Sequence, residues 1–286
     1  MKQYSMHIVS CNVMGGLGNQ LFQIMTCISY GLDHRRKIVI PYYDKSPGVT
    51  QRPTYWNNLL KPFVVFTNKN KDNQIPNKIS VYKELQFSYD KIPEYDTSLY
   101  LVGYFQSYMY FDNNKNKILQ MLRFDNRKKE IHDLYKNYFD GVINDICSIH
   151  FRLGDYKHLQ DCHPLLSIDY YISAMTKLCE TTNISRVLYF CQEQDNNIVE
   201  QHIQTIQYIF PHVEFIKVSD DICDWEQMVM MALCNHHIIA NSTFSWWGAY
   251  LSSSPKKKVF YPSVWFGPKL SNHNVDHLCP CEWENI

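Results

Sequence analysis

Ile146-Cys-Ser-Ile-His-Phe-Arg-Leu-Gly-Asp155 opens as an apolar, β-branched run and ends in three polar side chains, His150, Arg152 and Asp155. The run predicts a strand over 146–152, and Gly154 supplies a flexible turn between Arg152 and Asp155. Strand alternation sends His150 and Arg152 to one face, two residues apart. In an open α/β sheet, ligands bind beyond the carboxyl ends of the strands, so polar groups emerging there are candidates for a site. A guanidinium fork grips oxyanions in a plane, and an imidazole hydrogen-bonds a base or a hydroxyl; together they suit a phosphorylated ligand. A plain strand-end salt bridge between Arg152 and Asp155 is the competing reading.

Downstream, strands and helices alternate. A helix is expected near 168–180, a strand over 186–192, a helix over about 195–207 and a strand over 213–218. The turn Ser219-Asp-Asp221, a helix over 225–234, a strand over 236–240 and a last strand from Lys258 to Tyr261 follow. This alternation predicts an α/β fold with a parallel, doubly wound sheet. The 225–234 helix is apolar nearly all round and has to be buried. In Asn241-Ser-Thr-Phe-Ser245, Ser and Thr suit a helix start, and a helix N-terminus after a strand can cradle phosphate. An ordinary cap is the alternative there, and Trp246 and Trp247 read as packing residues.

Upstream, Met6 to Val13 predicts a first strand, followed by Gly15-Gly-Leu-Gly-Asn-Gln-Leu-Phe-Gln23 and a helix through about Asp33. Strand, glycine turn and helix make half of a nucleotide-binding βα unit, with helix N–H groups available to an anion. The dinucleotide fingerprint would need glycine where Leu21 stands, and the P-loop would need Gly-Lys-Ser/Thr. A nicotinamide-dependent oxidoreductase is therefore disfavoured, and a tight turn with no ligand is the remaining alternative. Lys37 to Pro41 reads as a second strand. The segment from Tyr42 to Tyr95 is irregular, interrupted by Pro47, Pro53, Pro62, Pro76 and Pro93. Leu99 to Phe105 returns to strand, and helices are expected over 113–122 and 127–139. The second helix ends near Asp140-Gly141, which divides the chain into domains 1–142 and 143–286.

A length of 286 residues accommodates two domains, and 45% hydrophobic with 20% charged residues describes a globular protein with ample core. A formal net charge of zero with no basic tract argues against nucleic acid as a partner. The ten cysteines contain no C-x-x-C pair, which predicts a reduced, intracellular chain. Cys279 and Cys281 are the pair left open to metal or to other cysteines. No apolar run approaches the roughly 20 residues that span a bilayer, and no transmembrane segment is expected. Met1 to Val13 is too short and polar for a signal peptide.

Three stretches now stand together: Gly15–Gln23, His150-Phe-Arg-Leu-Gly-Asp-Tyr156, and Asn241-Ser-Thr-Phe-Ser-Trp-Trp-Gly-Ala-Tyr-Leu251. In identity, order and spacing they resemble the α-1,2-fucosyltransferase family, and Gly103-Tyr-Phe-Gln-Ser107 resembles a further family stretch. The resemblance spans nearly the whole chain. It implies a GT-B architecture, two Rossmann-like domains with an interdomain cleft. The 1–142 domain would serve the acceptor and 143–286 would bind GDP-fucose. It also implies an inverting, metal-independent transfer of L-fucose to the 2-hydroxyl of a galactoside, with no cofactor and a galactose-terminated glycan as acceptor. Animal members of the family carry a membrane anchor, so a soluble, cytoplasmic enzyme of bacterial or viral origin is expected.

By position, the resemblance puts His150 on the guanosine side and Arg152 on the β-phosphate, with Ser242, Thr243 and Ser245 on the pyrophosphate. Asp220 or Asp221 would read guanine N–H groups, and Gly16, Gly18 and Asn19 would face the fucose or acceptor. The family usually has a second arginine where this chain has Leu153, which leaves Arg152 as the motif's sole guanidinium. Asp155 is the candidate base within the motif and Asp161 the next, while Asp155 has the alternative of orienting Arg152. A GDP-sugar transferase with another acceptor or linkage, or a catalytically inactive sugar-nucleotide-binding protein, are the rival functions.

Overall fold

Short apolar runs are buried in this chain as parallel strands joined by helical crossovers, the arrangement that covers both faces of a sheet. The structure is a computed structural model that describes residues 7–47, 51–142 and 144–286. Two units form within it. One runs to Asp125 and regains His273–Pro280; the other holds Asn126–Asn272 and Cys281–Ile286.

The first unit carries β1 (Ile8–Cys11), α1 (Leu17–Asp33), β2 (Lys37–Ile38), β3 (Ser80–Lys83), β4 (Leu99–Val102) and α2 (Lys115–Leu122). Its sheet has the order β2-β1-β4-β3 and every pair is parallel. Almost all of α1 from Leu17 to Gly31 is buried, including the polar Gln20, Gln23, Thr26 and Ser29. Gly31 allows this close docking, since a Cβ there would lie 2.5 Å from Ile38 Cγ1. Strand β3 is absent from the sequence reading, which left 42–95 irregular. It is a four-residue edge strand whose partner, β4, follows only after an intervening loop. Met6, the first residue of the expected opening strand, lies outside the described residues, as do 48–50 of the proline-rich segment and Ile143 at the expected domain boundary.

The second unit contains most of α3 (Phe124–Leu134), then β5 (Asp145–His150), α4 (Ile168–Thr181), β6 (Ile184–Phe190), α5 (Asn196–Ile209) and β7 (Glu214–Lys217). It continues with α6 (Asp224–Leu233), β8 (His236–Ile238), α7 (Thr243–Leu251), β9 (Val259–Tyr261) and β10 (Glu284–Asn285). The six strands are parallel in the order β10-β9-β8-β5-β6-β7. One core cluster includes Ile149, Phe151, Tyr171, Met175, Val187, Val199 and Ile203, all buried. Each such side chain contributes roughly 1.5–3 kcal/mol on removal from water. As the apolar 225–234 pattern requires, Met228 to Ala232 of α6 are consecutively buried. Trp246 and Trp247 are fully buried as well; Trp246 stacks on Tyr250 with ring centroids 4.7 Å apart.

The division of the chain differs from the expected 142/143. Residues after Asp125 belong to the second unit because their side chains reach its helices and strands. Lys128 Nζ donates to Ser253 Oγ at 3.0 Å, Tyr135 Oη to Glu226 Oε2 at 3.0 Å, and Arg186 Nη1 to the Tyr138 carbonyl at 2.9 Å. The helix expected over 127–139 instead occupies Phe124–Leu134, with a 3₁₀ turn at Lys136–Tyr138. In the opposite sense, the first unit holds 273–280: Ser107 Oγ donates to the His277 carbonyl, and Ser88 Oγ lies 2.8 Å from His277 Nδ1.

Strand order fixes where ligands can approach each sheet. In the second unit the chain leaves β5 toward β6 and β7, then returns to build β8, β9 and β10 on the other side. The switch point lies between β5 and β8. In the first unit it lies between β1 and β4. Crevices open at such points beyond the carboxyl ends of the strands.

Candidate active site

The motif that ends β5 and the motif that follows β8 therefore emerge side by side. His150, the last residue of β5, is buried and its ring lies 5.5 Å from that of Phe244 in the first turn of α7. Burial first, and the nearby Arg152 charge second, push its imidazole down to about 3, so it is neutral at ordinary pH. Its Nδ1 is buried with no hydrogen-bond partner. An orphaned ring nitrogen at a strand end is the kind of group that a ligand satisfies.

Arg152 is held on three sides. Nη1 donates to Gln192 Oε1 at 3.0 Å and Nη2 to Asp155 Oδ1 at 2.5 Å, while its Cζ lies 4.9 Å from the Tyr156 ring centre. Tyr156 in turn stacks on His163 at 4.7 Å and donates its hydroxyl to the Asn241 carbonyl at 3.2 Å. The salt bridge that competed with a ligand-binding reading thus exists, within a wider set of contacts that fixes the guanidinium. Asp155, the in-motif base candidate, is the partner that orients Arg152.

The β8–α7 connection divides its expected ligands. Ser242 is the N-cap of α7, with its Oγ accepting from Phe244 N at 3.3 Å, and Thr243 opens the helix half-buried. Ser245 points inward: it is 1% exposed, and its Oγ accepts from Ala240 N at 3.2 Å and donates to the Ser242 carbonyl at 3.4 Å. Both hydrogen bonds lie within its own loop, so Ser245 shapes the turn. Asn241 also braces the loop, donating Nδ2 to the Pro164 carbonyl at 2.9 Å.

The remaining acids separate. Asp161 pairs with Lys269 Nζ at 3.0 Å, and both side chains are largely exposed. Asp220 accepts from Lys217 Nζ at 2.6 Å and from Asn196 Nδ2 at 2.9 Å. Burial alone would raise the Asp220 carboxyl, but these two donors and the Lys217 charge outweigh it and the shift is downward. Asp221 is exposed, with Oδ2 3.5 Å from Ser219 Oγ. Asp220 therefore stands at the β6–α5 end of the sheet edge through Asn196, and Asp221 stands beside it on the turn after β7.

At the first unit's switch point, the glycine turn is built from neutral amides. Gly15 has φ +79, and a Cβ there would sit 2.7 Å from Asn19 Nδ2, so glycine is required. Gln23 holds Met14 by accepting from its N–H at 2.8 Å and donating to its carbonyl at 3.1 Å. Gln20 is fully buried and donates to the Gly15 and Pro53 carbonyls at 2.9 and 2.8 Å, a structural role. Gly16 is the N-cap of α1 with open space around its Cα, and Gly18 is buried in the first turn. Asn19 Oδ1 accepts from Gln106 Nε2 at 3.0 Å. That contact joins the glycine turn to the end of β4, where Glu84 accepts from Tyr104 N at 2.7 Å and Phe105 N at 2.9 Å. Phe105 is left-handed at φ 53, and Glu84 holds the turn that allows it.

Sequence reasoning missed Tyr156, Gln192 and Asp195 in the second unit and Gln106 and Glu84 in the first. Gln192 and Asp195 follow the carboxyl end of β6, so the rule that singled out Arg152 applies to them too. Gln106 lies inside the Gly103–Ser107 stretch. Glu84 follows a strand that periodicity did not reveal. Among the described residues no His, Cys, Asp or Glu side chains cluster as a metal site, and no helix is long and apolar enough to cross a membrane. Among the described residues neither Cys279 nor Cys281 takes part in a disulfide.

Residues 9–266 match the family model for glycosyl transferase family 11. The chain is 26% identical to an alpha-1,2-colitosyltransferase of Escherichia coli, over 98% of this chain and 99% of that protein. It is 27% identical to the Escherichia coli O-antigen biosynthesis glycosyltransferase WbnK over 65% of this chain, an overlap that spans 60% of WbnK's length. An Arabidopsis thaliana FUT1 variant solved with GDP superposes with a TM-score of 0.51 at 14% identity, covering 98% of this chain and 77% of that one. At that identity the likeness concerns fold, and it agrees with the GT-B architecture of paired α/β units with parallel sheets.

Proposed function

The chain belongs to glycosyl transferase family 11, and on that premise we propose that it transfers L-fucose from GDP-fucose to the 2-hydroxyl of a galactoside, with inversion, giving an α-1,2 linkage. The observation that carries the reading is the β5–β8 edge. There a braced guanidinium, a neutral histidine with an unpaired nitrogen and a Ser-capped helix start share one switch point.

The chemistry follows from charge. As GDP departs, negative charge grows on the β-phosphate and positive character on the anomeric carbon. Arg152 and the N–H groups at the start of α7, with Ser242 and Thr243, stabilise the former. Removing one such preorganised donor typically costs roughly 10²–10³ in rate. Ser245 supports the turn from inside. His150, neutral, hydrogen-bonds the guanosine, and Asp220 or Asp221 accepts guanine N–H. The acceptor hydroxyl attacks the face opposite the leaving group, with Asp155 or Asp161 as its base once within hydrogen-bond reach. Gly16, Gly18 and Asn19 serve the fucose or the acceptor. Arg152 fills the role a metal has in other transferases, so transfer needs none.

A second reading is favoured by the colitosyltransferase relative, which matches along its whole length. Colitose is fucose without its 3-hydroxyl, and the same phosphate and base contacts would serve either donor. Incubation with GDP-fucose or GDP-colitose, a panel of galactosides and EDTA, followed by linkage analysis, tests both. An α-1,2-fucosylated galactoside formed in EDTA is the expected product. Exclusive use of GDP-colitose would transfer the conclusion to the second reading. GDP-fucose bound without transfer or GDP release would indicate a sugar-nucleotide-binding protein.

A further inference from the structure

The carboxylate of Asp195 is completely buried, yet it belongs to none of the three motifs. It occupies the N-cap position of α5, where an aspartate ordinarily accepts a hydrogen bond from its own helix. Here no side-chain cap bond forms. Instead Oδ2 accepts from Gly154 N at 2.8 Å and Oδ1 from Lys157 Nζ at 2.7 Å. Both contacts land on the 3₁₀ turn Gly154–His158 that follows Arg152.

That turn carries two of the groups that fix Arg152, namely Asp155 and Tyr156. The third, Gln192, lies three residues before Asp195 on the same β6–α5 connection. Gln192 approaches so closely that a Cβ on Gly154 would meet its Oε1 at 1.9 Å. Gly154 itself sits at φ +35. The β6–α5 connection is thus a template against which the Arg152 turn is pressed, and its two attachment points are Gln192 and Asp195.

We infer that Asp195 is a positioning residue: by clamping Gly154 N–H and the half-buried Lys157 ammonium on its own buried carboxylate, it sets the turn that aims Arg152. It touches neither Arg152 nor any group assigned to the donor. A charged carboxylate suits the task because it accepts from a backbone amide and from a cation at once, one on each oxygen. The inference rests on the assignment of Arg152 to a diphosphate.

The test uses the full-length protein with Asp195→Asn and Asp195→Ala, each confirmed as folded by circular dichroism, and each also combined with Arg152→Lys. GDP affinity by calorimetry is expected to fall about tenfold or more for Asp195→Ala in the parent background. In the Arg152→Lys background the same change should alter it less than about twofold, since interacting sites are not additive. Equal losses in the two backgrounds would overturn the inference and make Asp195 a general structural residue. A second readout does not depend on nucleotide: the Arg152 guanidinium NMR signals, identified by their loss in Arg152→Lys, should be sharp in the parent and exchange-broadened in Asp195→Asn. Unchanged signals there would overturn the inference whatever ligand the site takes. Should Asp195→Ala fail to fold, Asp195→Asn with Lys157→Met removes the clamp without leaving a half-buried ammonium unpaired, and the same two outcomes apply. A parent that shows no preference for GDP over UDP would instead refute the donor assignment, leaving the NMR result to judge Asp195.

Discussion

The two units place their conspicuous loops at topologically equivalent positions, yet hold them with different chemistry. At the β1–β4 edge the glycine turn hangs on side-chain amides: Gln20 and Gln23 tie backbone, and Asn19 meets Gln106. The Glu84 carboxylate there faces two backbone N–H groups. At the β5–β8 edge charges do the holding, in the pairs Arg152–Asp155 and Lys157–Asp195. Charged, mutually compensated groups can grip a diphosphate, because the field that stabilises an anion is in place before it arrives. Neutral amides fit hydroxyl-rich, uncharged ligands, which offer donors and acceptors without net charge. One topology thus supports a charged edge and a neutral edge.

The largest expected effect lies on the charged edge. Arg152→Ala should lower transfer at least about 100-fold with the fold intact, and Arg152→Lys should retain only a small fraction, since an ammonium cannot grip two oxygens in a plane. Transfer by Arg152→Ala above about a tenth of the parent rate would erase the contrast between the edges.

Next in size is Gly154→Ala. A Cβ there collides with Gln192 Oε1 and adopts an unfavourable φ of +35, so Arg152 or Gln192 has to move. Donor KM should rise about tenfold, roughly the 1.4 kcal/mol that a displaced charged contact is worth. The acceptor KM should change little.

On the neutral edge, Gln106→Leu removes one uncharged hydrogen bond to Asn19, worth about 1 kcal/mol. A several-fold change, confined to acceptor KM, is expected. If Gln106→Leu weakened GDP binding as much as Gly154→Ala does, the assignment of the two edges to different ligand chemistries would be wrong.

The last effect is on stability rather than turnover, and it concerns pH. His150, pushed down to about 3 by burial and Arg152, binds a proton in the unfolded chain below its ordinary value near 6.5. Stability from this group is therefore complete above about pH 6.5 and declines on acidification toward pH 3. By pH 5 the loss is about 2 kcal/mol. His237, also in the second unit, is held well below its ordinary value by burial, with help from the Lys257 and His236 charges. Thermal denaturation should accordingly show the second unit weakening as pH falls from 7 to 5, and His150→Gln should reduce that slope. An unchanged slope in His150→Gln would show that its imidazole is not held neutral in the folded state.

Sequence by itself determined the alternating architecture of the second half. Parallel strands buried on both faces read as largely apolar runs, as in Ile146–Ile149, broken only by Ser148, and Val187–Phe190, and such runs are visible without coordinates. It also determined that His150 and Arg152 stand at the carboxyl end of one strand, although β5 stops at His150, short of the expected 152, so the turn and not strand alternation places Arg152. The family stretches were legible because each is contiguous. Only the tertiary structure decided where β3 pairs, since a four-residue edge strand has too little pattern of its own and takes its place from β4. The division of the chain was decided by contacts from 126–142 onto the second unit and by the return of 273–280 to the first, neither of which any local composition marks. Ser245 reads like its neighbour Ser242 in the sequence, yet packing turns it inward, and nothing local marks Asp195, whose carboxylate lies against Gly154 and Lys157. A side chain's type and spacing set what chemistry it can do. Which groups it meets depends on residues distant in sequence, and that is settled only when the strands take their order in the sheet.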